Sequence, residues 1–430
     1  MKMNKLKEYF LKDLYEISSG ISTKPEQAGY GYPFISFRTI FNNWILPNEL
    51  NDLMNTSEIE REKYSIKKGD ILLTRTSEKI DELAMSSVAL KDYDNTTFSG
   101  FAKRLRPIQT NITYDKFMAF FLRSPYFREI IDKKTTMTLR ASFNETLFSQ
   151  IKILLPEYKT QVKIGELLCK MEEKIKLNNK INSELENMAK TIYDYWFLQF
   201  EFPNDEGKTY KSSGGKMIWN EELKKEIPEG WEVISIKECI QHIKTGLNPR
   251  NNFKLGTGDI KYITVKNLTT SGNIDFSNCD LIDEKARIIV NNRSEIKRGD
   301  ILFASIAPLG RCFIIQENPK DWDINESVFS IRPNYDKISS EFLYMFFMSE
   351  YFIKKAEASS TGSIFSGIRI NTIGNMKILI PDKKIVNSFT DKVKNLFYNK
   401  FKNNQESQEL MAIRDYLLPL LMNGQVGFKD

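Results

Sequence analysis

One histidine, His242, serves a chain of 430 residues. Zinc hydrolases, Ser-His-Asp enzymes and most general acid–base sites lean on histidine, so such a chain either works through carboxylates or catalyses nothing. Cysteine is equally thin. Cys169, Cys239, Cys279 and Cys312 lie far apart and no two share a C-x-x-C spacing, which argues against a disulfide framework or a Cys-based zinc site and makes the cytoplasm the expected compartment. Long apolar runs are missing too. The longest, around Tyr416 to Met422, falls well short of the roughly 20 residues a membrane span needs. The stretch from Met1 to Glu16 mixes both charge signs around no apolar centre and does not read as a secretory signal. No charge of one sign dominates: 62 basic against 56 acidic residues leave +6, which permits a nucleic-acid partner without requiring one.

What the chain does have is a second copy of itself. SIKKGDILLTR (Ser65 to Arg75) returns as EIKRGDILFAS (Glu295 to Ser305), and LRP (Leu105 to Pro107) returns as IRP (Ile331 to Pro333). MAFFLRSPYF (Met118 to Phe127) returns as MFFMSEYF (Met345 to Phe352), and IKILLP (Ile151 to Pro156) as MKILIP (Met376 to Pro381). The matches keep their order and a nearly constant offset, the mark of a duplicated domain rather than a short-period solenoid.

Each copy has two parts. The first reads as mixed α/β with short strands: Pro33 to Ile40 and Ile260 to Leu268 have strand-like patterning, and the GDIL segments carry buried-strand character after a Gly-Asp turn. Thr113 to Ile131 reads as a helix broken at Ser124-Pro125, and Lys337 to Ala356 is its counterpart, with Ser339 or Ser340 as N-cap. The second part is a long helix. From Lys159 to Phe197 there is no proline and one glycine, with Ile164, Leu168, Met171, Ile175, Leu185, Ala189, Ile192 and Trp196 spaced by threes and fours around Asn178 and Asn182. That is a heptad seam with polar interruptions of the kind that fix register. Its counterpart runs from Ile385 to Met422 with Phe389, Val393, Leu396, Leu410, Leu417 and Leu421 on the seam, so the two helices are expected to pair as a coiled coil. A helix of about 38 residues spans roughly 57 Å. Between the copies, Glu201 to Trp231 is a polar connector in which Trp219 and Trp231 are expected to pack down. The expected division is a first α/β domain over 1–156, a helix over 157–200, a connector over 201–230, a second α/β domain over 231–381 and a second helix over 382–425.

Tests for chemistry fail. SSGGKM (Ser212 to Met217) lacks the spacing and hydroxyl of a phosphate-binding loop, and no Gly-rich dinucleotide motif follows a strand. There is no Asp/Asn-Pro-Pro-aromatic motif of an amino-methyltransferase. A nuclease pattern, Pro156-Glu157 followed by Glu172-x-Lys174, puts its last two groups two apart on a helix, where they diverge. His242, in a helix-like stretch, is expected to pack or face solvent.

Binding chemistry remains. Several segments mix Arg, Lys, Thr, Ser and Asn, the residue types that meet phosphates and base edges. In the first copy the candidates are Lys24, Arg38, Arg75, Thr76, Lys79, Lys103, Arg104, Lys134, Thr136, Arg140 and Ser142. In the second they are Lys244, Asn248, Arg250, Lys266, Arg311, Ser363, Ser366 and Arg369. Taken singly each is an ordinary solvated loop. Their recurrence at equivalent places is the argument.

The paired GDIL strands (Gly69 to Leu72, Gly299 to Leu302), the KILLP and KILIP segments opening each long helix, and above all the connector from Phe202 to Trp231 resemble the specificity subunit of type I restriction-modification systems, over essentially the whole chain. The resemblance implies an α+β fold: two tandem mixed α/β target-recognition domains, each followed by a long helix, the helices pairing as an antiparallel coiled coil. It implies that each domain reads one half of a split double-stranded DNA target and that the helices set the spacing and dock two modification (methyltransferase) subunits. Restriction (endonuclease and translocase) subunits would join them. S-adenosylmethionine, ATP and Mg would belong to those partners; this chain would carry no cofactor, metal or catalytic residue and would touch no membrane. On the residues alone two other readings stay open: a DNA-modifying nuclease or methyltransferase with an unrecognised site, and a coiled-coil assembly scaffold.

Overall fold

The computed structural model describes residues 6–77, 79, 82–135, 141–359 and 367–427. It divides into two compact units, Met1–Leu177 with Ser407–Asp430, and Asn178–Glu406. The candidates Thr136, Arg140, Ser363 and Ser366 lie outside the described residues.

The same sheet topology is built in each unit. In the first, a four-stranded antiparallel sheet runs in the order Tyr15–Ser19, Ala102–Pro107, Ile71–Thr74, Ser86–Val88. In the second the order is Ile240–Thr245, Val328–Pro333, Ile301–Ala304, Cys312–Ile314. Each copy adds a three-stranded sheet, centred on Ala28–Ile35 or Ile260–Ile263, with one antiparallel and one parallel neighbour. A two-stranded ribbon leads into each long helix: Lys7–Phe10 pairs with Lys152–Leu155, and Glu232–Ser235 with Lys377–Ile380.

The GDIL strands are central in their sheets, and every residue of Ile71–Thr74 and Ile301–Ala304 is buried. The repeated motifs meet through side chains. The Arg106 guanidinium donates two bonds to the fully buried Asp70, at 2.8 and 2.6 Å. Arg332 does the same to Asp300, at 2.7 and 2.8 Å. Each arginine also donates to a backbone carbonyl, of Ser65 or of Glu295. A bidentate partner makes an arginine hold its proton more firmly, and both guanidinium groups are shifted upward from their ordinary value by the aspartate bond. A buried aspartate is tolerable only because it is paired in this way.

Two strand expectations end early, for the same reason. The run from Pro33 is strand only to Ile35; Ser36 then accepts from Thr39 N and starts a helix, Phe37–Asn42. The run from Ile260 stops at Ile263, and Thr264 with Asn267 forms the cap of a short 3-10 turn, Val265–Asn267. The first broken helix appears as read, Asp115–Phe121 then Pro125–Lys134, with Ser124 capping the second piece. Its counterpart also breaks, into Ser340–Phe347 and Glu350–Ala358, although it has no proline there; Ser349 supplies the cap instead. His242 lies on the strand Ile240–Thr245, not on a helix.

The long helices are Tyr158–Tyr193, continued by a π-helical turn over Asp194–Leu198, and Lys383–Met422. Each gives one half to each unit. Within the second unit the halves run antiparallel: Asn178 donates to Glu406 and to the Asn403 carbonyl, Asn182 meets Asn403 and Asn404, and Lys400 bridges Glu186. The helical end then enters the core, where Phe197 meets Phe342 and Phe389 edge-on at 4.8 and 5.0 Å between ring centres. Within the first unit, Arg414 pairs with Glu172, and Leu418, Leu421 and Met422 join the core around Phe117, Phe121 and Ile164. In the connector Trp231 is buried and stacks on Phe202, as expected, whereas Trp219 is 58% exposed on the hairpin Met217–Asn220 and Lys225–Pro228.

Candidate nucleic-acid interface

Both copies stitch three chain segments together at the end of the four-stranded sheet. In the first, Gly20 closes a strand so tightly against Ser99 that an added Cβ would lie 2.2 Å from the Ser99 carbonyl oxygen. The chain then turns at Ile21, whose carbonyl accepts from Gly100 N at 2.7 Å. Arg75, just past the GDIL strand, donates its N–H to Phe101 O, and its own carbonyl accepts from Phe143 N, both at 2.8 Å. Next to it Thr76 and Ser77 pair with Ser142 and Ala141.

The second copy repeats this with other residues. Gly246 presses on Ile324, where a Cβ would lie 1.6 Å from the carbonyl oxygen. Ser305 N donates to Ser327 O at 3.0 Å, and Ser305 O accepts from Ile368 N at 2.8 Å. The ladders therefore match Ser22 to Asn248, Arg75 to Ser305, Gly100 to Glu326 and Phe101 to Ser327.

This cluster brings together Arg75, Thr76 and Ser142 in one copy and Asn248 with Glu326 in the other, where Arg311 bonds Ala304 through its carbonyl and Arg369 follows Ile368, which bonds Ser305. Arg75 and Arg369 are exposed. Arg311 is committed inward: its guanidinium donates to the carbonyls of Val265 and Ile306, and burial lowers its proton affinity. Lys103 and Arg104 face the interior, 5% and 8% exposed. Lys103 donates to Ser19 at 2.9 Å, while Arg104 donates to the Ser65 carbonyl and lies over the Phe98 ring, its proton affinity lowered by burial and by Arg106. Lys244 is paired with Glu295 at 2.6 Å, Lys79 with Glu82 at 3.5 Å and Lys266 with Asp280 at 3.6 Å. Lys24, Arg38, Lys134 and Arg250 are exposed, and no side-chain bond ties them to the cluster among the described residues.

Three members escaped a search for cations. Phe101 is 66% exposed beside Arg75, and a lone aromatic ahead of a basic run carries no sequence signal for a contact. Ser22 is exposed on the turn after Gly20. Glu326 was passed over because an acidic residue does not look like a DNA contact, yet its Oε1 accepts from Asn248 Nδ2 at 2.6 Å.

The family model described as "Type I restriction modification DNA specificity domain" matches the chain twice, over residues 3–187 and 228–411. The type I restriction enzyme HindI specificity subunit of Haemophilus influenzae is 24% identical, over 99% of this chain and 100% of its own. The type I restriction enzyme MjaIX specificity subunit of Methanocaldococcus jannaschii is 25% identical, over 98% of this chain and 93% of its own. Among solved structures, the S subunit of a type I restriction-modification system from M. genitalium superposes with a TM-score of 0.61 at 14% identity, over 97% of this chain and 96% of that one.

Proposed function

The chain belongs to the type I restriction-modification DNA specificity family, matched once in each of its copies, and from that premise we propose how it divides the work of recognition. Each copy reads one half of a bipartite double-stranded DNA target through the cluster at the end of its four-stranded sheet. The long helices set the spacing and dock two modification subunits, with restriction subunits joining that complex in the cytoplasm. Methyl transfer and cleavage, with S-adenosylmethionine, ATP and Mg, belong to those partners, and this chain contributes sequence reading alone. No helix among the described residues is long and apolar enough to cross a membrane.

The observation that carries this reading is the cluster itself: one backbone scaffold, built twice, with different side chains at matched positions. A single chain then carries two copies of one scaffold, as a homodimer would, with two unlike half-sites. Joining two weak readers makes the second contact intramolecular and raises the affinity for a correctly spaced pair. Co-purification of the chain with a candidate modification subunit tests the reading. The complex is expected to retain duplex DNA, with retention falling steeply as salt rises. Assembly without DNA retention at any salt would contradict it in favour of a scaffold.

A further inference from the structure

The matched positions carry opposite hydrogen-bonding chemistry. In the first copy Arg75 is exposed and its guanidinium makes one long bond among the described residues, 3.4 Å to the Gly100 carbonyl, with Phe101 exposed beside it. In the second copy the same positions hold Ser305 and Ser327, and the neighbouring pair is Asn248 with Glu326 rather than Ser22 with Gly100. One Glu326 oxygen accepts from Asn248; the other, Oε2, and Asn248 Oδ1 are buried acceptors that no donor reaches among the described residues. The backbone of the loop bearing Asn248 is held, the Tyr262 hydroxyl donating to the Leu247 carbonyl and Asn252 Nδ2 to the Asn248 carbonyl at 2.8 Å, so a donor reaches the two oxygens only when the Asn248 and Glu326 side chains turn outward.

A buried acceptor without a donor costs about 1–3 kcal/mol, more when charged, and that cost is recovered when a donor arrives. A DNA phosphate cannot be that donor and would be repelled by a carboxylate. The groups on DNA that donate from the major groove are the exocyclic amines, N4 of cytosine and N6 of adenine, and Glu and Asn are the side chains that accept from them. Arginine does the reverse, donating to guanine O6 and N7, and a phenyl ring beside it suits a thymine methyl group.

We infer that these matched positions are the base-reading surface of each copy, set for opposite partners: Arg75 with Phe101 reads base acceptors in one half-site, and the Asn248–Glu326 pair reads an exocyclic amine in the other. The inference rests on the reading that each copy binds a half-site. It adds an acidic residue to a DNA interface and assigns it to bases rather than phosphates.

Methylated-adenine maps test it, recorded in cells carrying the modification subunit with the wild-type chain, Glu326→Gln or Arg75→Gln. E326Q is expected to relax or change a single base pair of one half-site, by about tenfold to a hundredfold in preference, and R75Q a base pair of the other. The double variant Asn248→Ser with Glu326→Gly, which installs the first copy's own residues, is expected to alter the same half-site as E326Q. An unchanged consensus overturns the inference. So does uniform loss at every site in E326Q and in the double variant, or both single variants altering the same half-site. A wild-type chain that yields no split motif would instead overturn the reading on which the inference rests.

Discussion

In one copy Asp70 is sealed beneath Arg106; in the other Asp300 is sealed beneath Arg332, with the same fork of bonds and the same extra carbonyl. A few residues away, past the ends of the same strands, the copies stop agreeing: arginine, phenylalanine and glycine on one side, serines and a glutamate on the other. The difference separates residues that hold the scaffold from residues that the two copies are free to vary. A buried ion pair between two strands cannot drift without unfolding its domain, because either partner left alone is an uncompensated buried charge. Beyond the tight glycine the partners are other loop residues, as Asn248 has in Glu326, and such a pair can change together without disturbing the buried sheet.

The comparison can be broken most severely at the ion pair. Asp70→Ala and Asp300→Ala should each cost about 3–5 kcal/mol, with the loss confined to the unit that bears the change. Hydrogen exchange resolved by segment checks this, and loss of protection in the opposite unit would show that the pairs are not local. A smaller effect is expected at the tight strand ends. Gly20→Ala and Gly246→Ala force a Cβ against a backbone oxygen at 2.2 and 1.6 Å, which should cost about 1–3 kcal/mol or more. The second substitution is expected to lower the unfolding midpoint further, since its carbonyl is the closer.

The smallest effect sharpens an asymmetry. Glu16 faces Arg106 across the first sheet where His242 faces Arg332 across the second. Burial, then Arg332, pushes the His242 imidazole below its usual value of 6.5, with Lys244 also opposing its charge and Asp300 and Glu295 favouring it. The unfolded chain therefore takes up a proton that the folded second copy resists. This contribution is complete above pH 6.5 and is lost as the pH falls below it. His242→Gln should remove that part of the acid sensitivity of the second unit and leave the first unit unchanged, as followed by unfolding at stepwise lower pH.

The sequence displayed the duplication, the buried GDIL strands and the helical seams, because these are periodic or repeated and need no knowledge of what they touch. It did not display that the aspartate of one motif holds the arginine of the next, which lies 36 residues on in the first copy and 32 in the second. Nor did it show which core each half of a long helix enters: Trp196 and Leu421 both lie on a helical seam, and only tertiary packing says what they fill. The strand that ends at Ile35 looked longer because a short apolar run fits either element, and the capping hydroxyl of Ser36 decides. At the interface, residue type alone found Arg75 and Asn248 but also gathered Lys103, Arg104 and Arg311, whose charges are committed inside the fold. Residue type gave no reason to single out Glu326, whose place beside an unsatisfied amide oxygen emerges only in the folded loop.

The central claim is that one chain holds two readers of different sequence on one repeated scaffold. An adenine-methylation map of cells carrying the partner modification subunit, with and without this chain, tests it most directly. The account predicts a split motif, two unlike half-sites at a fixed spacing, that appears only when the chain is present. A map unchanged by the chain, in cells where both proteins are made and found associated, would contradict it.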